Sequence, residues 1–213
     1  MLQFKTIVVP TDFSDQSQVA LNYAIALARQ FGSAIHCVHV IDQRFLEGGG
    51  GDAIYVSAGH IEETMRSIRE HARKRLSQQT QKVEAYQLKA ESHVREGRPV
   101  EQIQEIAKEL KADLMVVATH GRSGLDHMLL GSTTEKLLRK ASVPVLTVRP
   151  HSHGGLKTKT EELAIKKILV PLDFSDFSHK ALPTAVEFAK AFGSTVVLVH
   201  VVDTWLDYPE WGP

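Results

Sequence analysis

The 213-residue chain is poor in several residue types, and each shortage excludes a class of protein. It has one cysteine, Cys37, so it can form neither an internal disulfide nor a cysteine-rich zinc site. Aromatic residues make up only 7% of a chain that is 43% hydrophobic, so we expect a mainly aliphatic core. Neither charge is in surplus, because 25 Lys and Arg residues balance 25 Asp and Glu residues. This balance argues against a nucleic-acid-binding protein.

Long apolar runs are also missing. None approaches the ~18 residues that a bilayer-spanning helix needs, and the first residues lack the apolar stretch of a signal peptide. The sequence therefore predicts a soluble cytoplasmic protein that does not act at a membrane.

What the chain does have is an internal repeat. Residues 5–42 align without gaps on residues 166–203, and 20 of the 38 pairs are identical. The segment PTDFSD at 10–15 returns as PLDFSD at 171–176, which indicates a duplication. The second copy contains only the first third of the unit. We expect a complete domain at 1–150, a linker at 151–165 and a partial second domain at 166–213.

The linker contains two close histidines, His151 and His153. They could be considered as metal ligands, but two ligands on a polar, glycine-containing segment are too few for a site. A solvated linker is the preferred interpretation.

Short apolar runs alternate with amphipathic segments along the first copy. The pattern predicts that Ser14 caps the first helix and that Gly32 ends it. This alternation is typical of a Rossmann-like, doubly wound α/β fold, here a five-stranded parallel sheet in the order 3-2-1-4-5. The second copy offers only β-α-β, with Pro183 delaying or kinking its helix. Strands are expected at 7–9, 35–40, 86–92, 114–118 and 143–148, and helices at 15–30, 59–80, 98–111 and 132–141.

Ligands of such sheets bind beyond the carboxyl ends of the strands, where Asp12 follows the first strand. A carboxylate there could accept hydrogen bonds from a ribose hydroxyl or face a phosphate-bound cation. It could equally be a turn residue that helps to cap the next helix. The return of this residue as Asp173 fits both interpretations.

The loop after the fourth strand, 119–131, carries the second candidate feature. Gly121 and Gly131 would let the backbone approach an anion closely, and a helix opening at Ser132 would direct free N–H groups toward it. Hydroxyls at 132–134 add donors. The alternative is a capping box, because Ser132 and Glu135 have the spacing that closes a helix without a ligand.

Three residues of the second strand have less specific interpretations. We interpret His36 and His39 as buried histidines rather than metal ligands. Cys37 corresponds to Leu198 in the second copy, which favours a core thiol over a nucleophile.

Taken together, these segments resemble the universal stress protein family. The resemblance covers a complete domain at about 3–150 and the opening of a second at 166–213, as in a tandem member with a shortened second domain. The family's nucleotide-binding subgroup has the pattern G-x2-G-x9-G-(S/T). Here Gly121 and Gly131-Ser132 match it, whereas Ala118 occupies the first glycine position.

The resemblance implies a site for ATP with Mg²⁺. Asp12 would contact the ribose or the metal-bound phosphates, and the backbone of Val40 would hold the adenine. No residue is assigned as a direct metal ligand. The resemblance also implies a homodimer formed through the fifth strand, 143–148, which is an apolar edge. The implied nucleotide-binding residues are Pro10, Thr11, Asp12, Val40, Val117, Ala118, His120, Gly121, Gly131, Ser132, Thr133 and Thr134.

The leading functional hypothesis is therefore a nucleotide-binding stress-response or regulatory module rather than an enzyme. The Walker motif G-x-x-x-x-G-K-(S/T) is absent and no arginine finger can be assigned, so little or no hydrolysis is expected, with a slow ATPase left open. The alternative is a nucleotide-free dimeric interaction scaffold, which Ala118 favours and the two matching glycines oppose. An adenylyl-transfer enzyme would need a signature such as S-G-G-x-D-S or H-x-G-H, and neither occurs.

Overall fold

The computed structural model describes residues 4–42, 58–119, 130–149 and 163–202. The chain divides into two compact units, one of residues 3–163 and one of residues 164–213 with residues 1–2. Among the described residues, no helix is both long enough and apolar enough to cross a membrane.

The first unit alternates strands and helices in the predicted order. Its elements are β1 Thr6–Pro10, α1 Asp15–Phe31, β2 Ala34–Ile41, α2 Ala58–Glu84, β3 Ala90–Glu96, α3 Pro99–Glu109, β4 Leu114–Ala118, α4 Ser132–Lys140 and β5 Val145–Val148.

The five strands form one parallel sheet in the order β3-β2-β1-β4-β5. Val8 of β1 pairs with His36 of β2 and with Met115 of β4, so the first strand lies at the centre. The predicted fold class and strand order are confirmed. The chain adds β2 and β3 on one side of β1 and then β4 and β5 on the other side. In such folds a crevice opens at this switch point, between β1 and β4.

The core forms because the central strands are apolar on both faces. Ile7, Val8 and Val9 have no exposed surface. On one face, Ile106 of α3 and Leu137 of α4 pack with Val8 in a single cluster of buried residues. Each such side chain contributes roughly 1.5–3 kcal/mol through burial. This packing holds the two helices against the sheet and so fixes where α4 begins.

The ends of α1 follow the sequence signals. The Ser14 side chain accepts a hydrogen bond from the backbone N–H of Ser17, and Gly32 adopts the left-handed conformation with φ 71°. Both capping predictions are confirmed.

The third strand is the clearest error in the predicted boundaries. It spans Ala90–Glu96 rather than 86–92, because α2 continues to Glu84 and a turn follows it. In that turn Gln87 has φ 61°, which is incompatible with a strand. The alternation that suggested a strand at 86–92 thus lies partly in the turn. The fifth strand also starts later than predicted, at Val145, directly after Pro144.

The second unit contains β6 Lys167–Pro171, α5 Asp176–His179, α6 Ala181–Phe192 and β7 Thr195–Val199, with β6 parallel to β7. The helical segment is interrupted at Lys180, and Pro183 lies in the first turn of α6, as expected for a residue without an N–H. Leu169, Phe177 and Leu198 are 63%, 81% and 55% exposed. Within the described part of this unit, no further strand or helix covers them.

Candidate functional site

A cavity of about 660 Å³ lies at the carboxyl ends of β1, β2 and β4. Its size is typical of a small-molecule site. It is lined by Pro10, Thr11, Asp12, Ser17, His39, Val40, Ile41, Asp42, Met65, Ile68, Pro99, Ile103, Val117, Ala118, Gly131, Ser132, Thr133, Thr134 and Leu137.

Most of the residues predicted from the sequence line this cavity. Pro10, Thr11 and Asp12 come from the end of β1, Val40 from β2, and Val117 and Ala118 from β4. The segment Gly131–Thr134 contributes the start of α4. His120 and Gly121 lie outside the described residues.

The turn after β1 gives Asp12 a structural role. Its Oδ1 accepts hydrogen bonds from the Ser14 backbone N–H at 3.0 Å and from the Ser14 hydroxyl at 2.6 Å. Phe13 between them has φ 64°, a left-handed conformation that costs a non-glycine residue roughly 1–3 kcal/mol and needs such support. Asp12 also lines the cavity, so the turn and a ligand contact are compatible roles for one carboxylate.

A network of hydrogen bonds holds the end of β1 in place. The Thr11 hydroxyl lies 3.0 Å from the Ser17 hydroxyl and accepts from the Phe13 backbone N–H at 3.0 Å and from the Gln79 side-chain amide at 3.2 Å. These bonds tie the turn to α1 and α2. The turn is therefore positioned before any ligand arrives.

His39 joins β2 to the same turn. Its Nδ1 lies 2.8 Å from the Thr11 carbonyl oxygen, so this nitrogen must donate, and its ring lies 4.3 Å from the Phe13 ring. The Arg75 guanidinium lies 4.4 Å from the centre of the same Phe13 ring. His39 is hydrogen-bonded, as expected of a buried histidine, but it is only half-buried and also lines the cavity, which the sequence did not indicate.

The junction between β4 and α4 forms the polar side of the cavity. The Gly131 N–H donates to the Thr119 carbonyl at 2.7 Å, and the Thr134 hydroxyl donates to the Ala118 carbonyl at 2.9 Å. Both bonds draw the beginning of α4 onto the end of β4.

The capping-box alternative for this junction is wrong. The N-cap is Gly131, with φ −68° and ψ 147°, and Ser132 is already the first helical residue. Gly131 has no side chain that could cap the first turn, in contrast to Ser14 at the start of α1. Since the first N–H groups of a helix have no intrahelical acceptor, those of α4 can bind an anion in the cavity.

Part of the cavity wall is apolar. Met65 of α2, Ile103 of α3 and Leu137 of α4 are at least 95% buried and line it. Sequence reasoning did not identify these residues, because an apolar residue on an amphipathic helix gives no signal of which part of the core it faces.

Ala118 occupies an ordinary strand position, paired with Val148. Its backbone therefore does not require glycine. Ala118 lines the cavity, so alanine in place of glycine bears on the space available to a ligand rather than on the conformation of the strand.

Cys37 is not a candidate nucleophile. The side chain is fully buried, and burial raises the pKa of its thiol to about 12. The interpretation as a core thiol is confirmed.

The second copy reproduces the turn but not the cavity. Asp173 accepts from the Ser175 N–H at 2.9 Å and from the Ser175 hydroxyl at 2.6 Å, and these bonds hold the pKa of its carboxyl well below the usual range. His200 likewise reaches the Leu172 carbonyl at 2.7 Å. The described part of this unit has no counterpart of β4 or α4.

Comparison with known proteins links both units to one family. The universal stress protein family profile matches residues 3–149 and 164–210. Universal stress protein MJ0531 of Methanocaldococcus jannaschii is 33% identical over 146 residues, which cover 68% of this chain and 82% of the relative. The structure of MJ0577 from the same organism has a TM-score of 0.63 at 27% identity and covers 71% of this chain and 100% of its own. A universal stress protein structure from Archaeoglobus fulgidus has a TM-score of 0.70 at 26% identity, covering 96% of this chain and 70% of its own.

Proposed function

The chain belongs to the universal stress protein family, and we propose that it is a stress-response module that binds ATP with Mg²⁺ in the cavity described above. The observation that carries this proposal is the uncapped first turn of α4, which faces the same cavity as Asp12. An anion site and a carboxylate that line one cavity provide contacts for the phosphates and for the ribose or metal of a nucleotide.

The residues present fit the parts of a nucleotide. The N–H groups and hydroxyls of Ser132, Thr133 and Thr134 would receive the phosphates, because a helix N-terminus favours negative charge. The carboxylate of Asp12 would accept from the ribose or lie near the phosphate-bound Mg²⁺. Val40 would hold the adenine through its backbone, with the apolar wall against the base. His120 and Gly121 would complete the phosphate side.

Binding rather than catalysis is the proposed activity. The bound Mg²⁺ would neutralise phosphate charge, and no residue of the chain is assigned to activate a water molecule. We therefore expect hydrolysis to be slow or absent. The proposed location is the cytoplasm, where ATP is available.

The first experiment is to denature the purified protein and separate the released small molecules by anion exchange, followed by calorimetric titration with Mg-ATP. A stoichiometric adenine nucleotide, or saturable heat on titration, would support the proposal. An empty eluate together with no binding heat would refute it.

Ala118 favours a second candidate function, that of a nucleotide-free dimeric interaction scaffold. The methyl group occupies space that glycine leaves open in the nucleotide-binding pattern. If titration with Mg-ATP gave no binding heat, this alternative would become the preferred function.

Both candidates share a proposed homodimer through β5. This strand, with sequence VLTV, is the last in the sheet and carries no charge, whereas the strand at the other edge, β3, contains Glu91, Arg95 and Glu96. Charged side chains protect an edge from pairing, and an apolar edge invites it. Leu146→Lys should therefore convert a dimer to a monomer in sedimentation experiments, and Leu138→Lys on α4 should not. A wild-type monomer would refute the dimer.

A further inference from the structure

A cluster of three potential metal ligands lies on the sheet outside the nucleotide cavity. His36 of β2 faces His93 and Glu91 of β3, and none of the three lines the cavity. The His36 Nδ1 lies 3.1 Å from the His93 Nε2. The Glu91 Oε2 lies 3.6 Å from the first nitrogen and 3.8 Å from the second. We propose that these side chains form a binding site for a divalent transition-metal ion of the zinc class, which links β2 to the edge strand β3.

The spacing of the three atoms carries the proposal. Their separations define a point about 2.0 Å from each of them, which matches Zn–N and Zn–O bond lengths of about 2.0–2.2 Å. A small displacement of the ion from the plane of the three atoms makes room for a fourth ligand.

The parallel register explains why the ligands meet. His36 pairs with Glu91, and Val38 pairs with His93, so all three ligand side chains project from the same face of adjacent strands. Ladder hydrogen bonds to β1 and β3 hold the backbone of β2, and those to β2 hold β3, so the ligands stand on paired strands. Two ligands separated by one residue on a strand, as Glu91 and His93 are, always share a face.

The chemistry of the set selects the kind of ion. Two imidazoles and one carboxylate suit zinc and its neighbours in the transition series, whereas Mg²⁺ and Ca²⁺ prefer oxygen ligands. The His36 and His93 side chains are only 10% and 21% exposed, but Glu91 is 67% exposed. Solvent therefore reaches the site from the Glu91 side, where water can fill the remaining position of a three-ligand site.

The second copy provides a natural template for removing the site. The residue equivalent to His36 is Val197, so His36→Val installs a side chain that the repeat already tolerates at this place in a strand. His93→Asn and Glu91→Gln remove the other ligands from less buried positions. His71→Gln, on the exposed side of α2, is the matched control for the loss of a histidine elsewhere.

The test is calorimetric titration of the chelator-treated full chain with ZnCl₂, together with NMR of the imidazole nitrogens. We expect one ion per chain, with His36 and His93 resonances shifting on zinc addition. Loss of a residue that hydrogen-bonds to a metal ligand already lowers metal affinity by about 10–100-fold. Loss of either histidine ligand should therefore lower the zinc affinity by about 100-fold or more. Glu91→Gln should lower it about tenfold, and His71→Gln should leave it unchanged.

Two results would overturn the proposal. One is zinc binding that survives His36→Val, His93→Asn and Glu91→Gln alike, which would leave the histidine pair as a direct hydrogen bond between neutral rings. The other is binding that disappears in a His151→Gln/His153→Gln variant, which would place the ion on the linker. Both zinc-binding tests are independent of the nucleotide, because Asp12→Ala should retain zinc binding whether or not ATP binds.

Discussion

The repeat offers a direct way to separate the structural and ligand-binding roles of Asp12. In both copies an aspartate accepts one backbone and one hydroxyl hydrogen bond from the serine two residues later, with distances that agree within 0.1 Å. Only Asp12 lines the cavity. Asp12→Ala and Asp173→Ala therefore remove the same turn contacts but differ in what else they remove.

The expected magnitudes follow from the contacts. A hydrogen bond to a charged group contributes about 1.5–3 kcal/mol, so losing the contact between Asp12 and the ribose or metal-bound phosphates should weaken nucleotide binding by roughly 10–100-fold. Asp173→Ala should leave the affinity unchanged. Asp12→Asn keeps an oxygen that can accept from Ser14 but removes the charge, so it should preserve the turn while still weakening binding.

Isothermal titration with Mg-ATP provides the measurement, and thermal unfolding of the same variants shows whether each one is folded. A ligand-binding role for Asp12 is refuted if Asp12→Ala and Asp12→Asn bind Mg-ATP as the wild type does, because Asp12 would then be a turn residue only. It also fails if Asp173→Ala loses affinity to the same extent, since the effect could not then come from the cavity.

Three further predictions concern space, packing and protonation. Ala118→Gly should tighten nucleotide binding several-fold in the same titration, at a cost of about 0.5–1 kcal/mol in unfolding free energy from the added backbone freedom. Leu137→Ala should destabilise the protein by about 2–5 kcal/mol in urea unfolding, because this fully buried side chain holds α4 against the sheet. Burial lowers the pKa of His36 and His93 below 6.5 in the folded state, so the unfolded state takes up protons first as the pH falls. Stability with chelator present should therefore decrease below about pH 6.5 through the folded-state pKa values, and less so in His36→Val.

The sequence predicted the elements whose signals are local. Ser14 and Gly32 mark the ends of α1 by capping chemistry that operates within a few residues, and β4 is recognisable because a central parallel strand is apolar on both faces. The third strand was misplaced because an edge strand mixes polar and apolar residues, as the turn at Gln87 also does. A period-two pattern cannot separate the two without knowing where α2 ends.

The candidate site divides in the same way. Asp12 and Val40 could be identified because they lie at the ends of strands, where a parallel sheet gathers its ligands, and Gly131 because a helix opens directly after it. The wall residues Met65 and Ile103 could not, because which helix faces reach the cavity depends on packing across the sheet. The capping box at Ser132 and Glu135 failed for a related reason, since the spacing leaves the helix start undetermined by one residue.

The histidine cluster shows most clearly what register adds to a sequence. Taken alone, His36 is indistinguishable from any buried histidine on an apolar strand, and His93 lies 57 residues away along the chain. Only the pairing of Val38 with His93 brings the two rings to one face, and a shift of β3 by one residue would send His93 to the other. The predicted strand at 86–92 excluded His93 altogether. A metal site of this kind follows from strand pairing, so an error of four residues in one edge strand is enough to hide it.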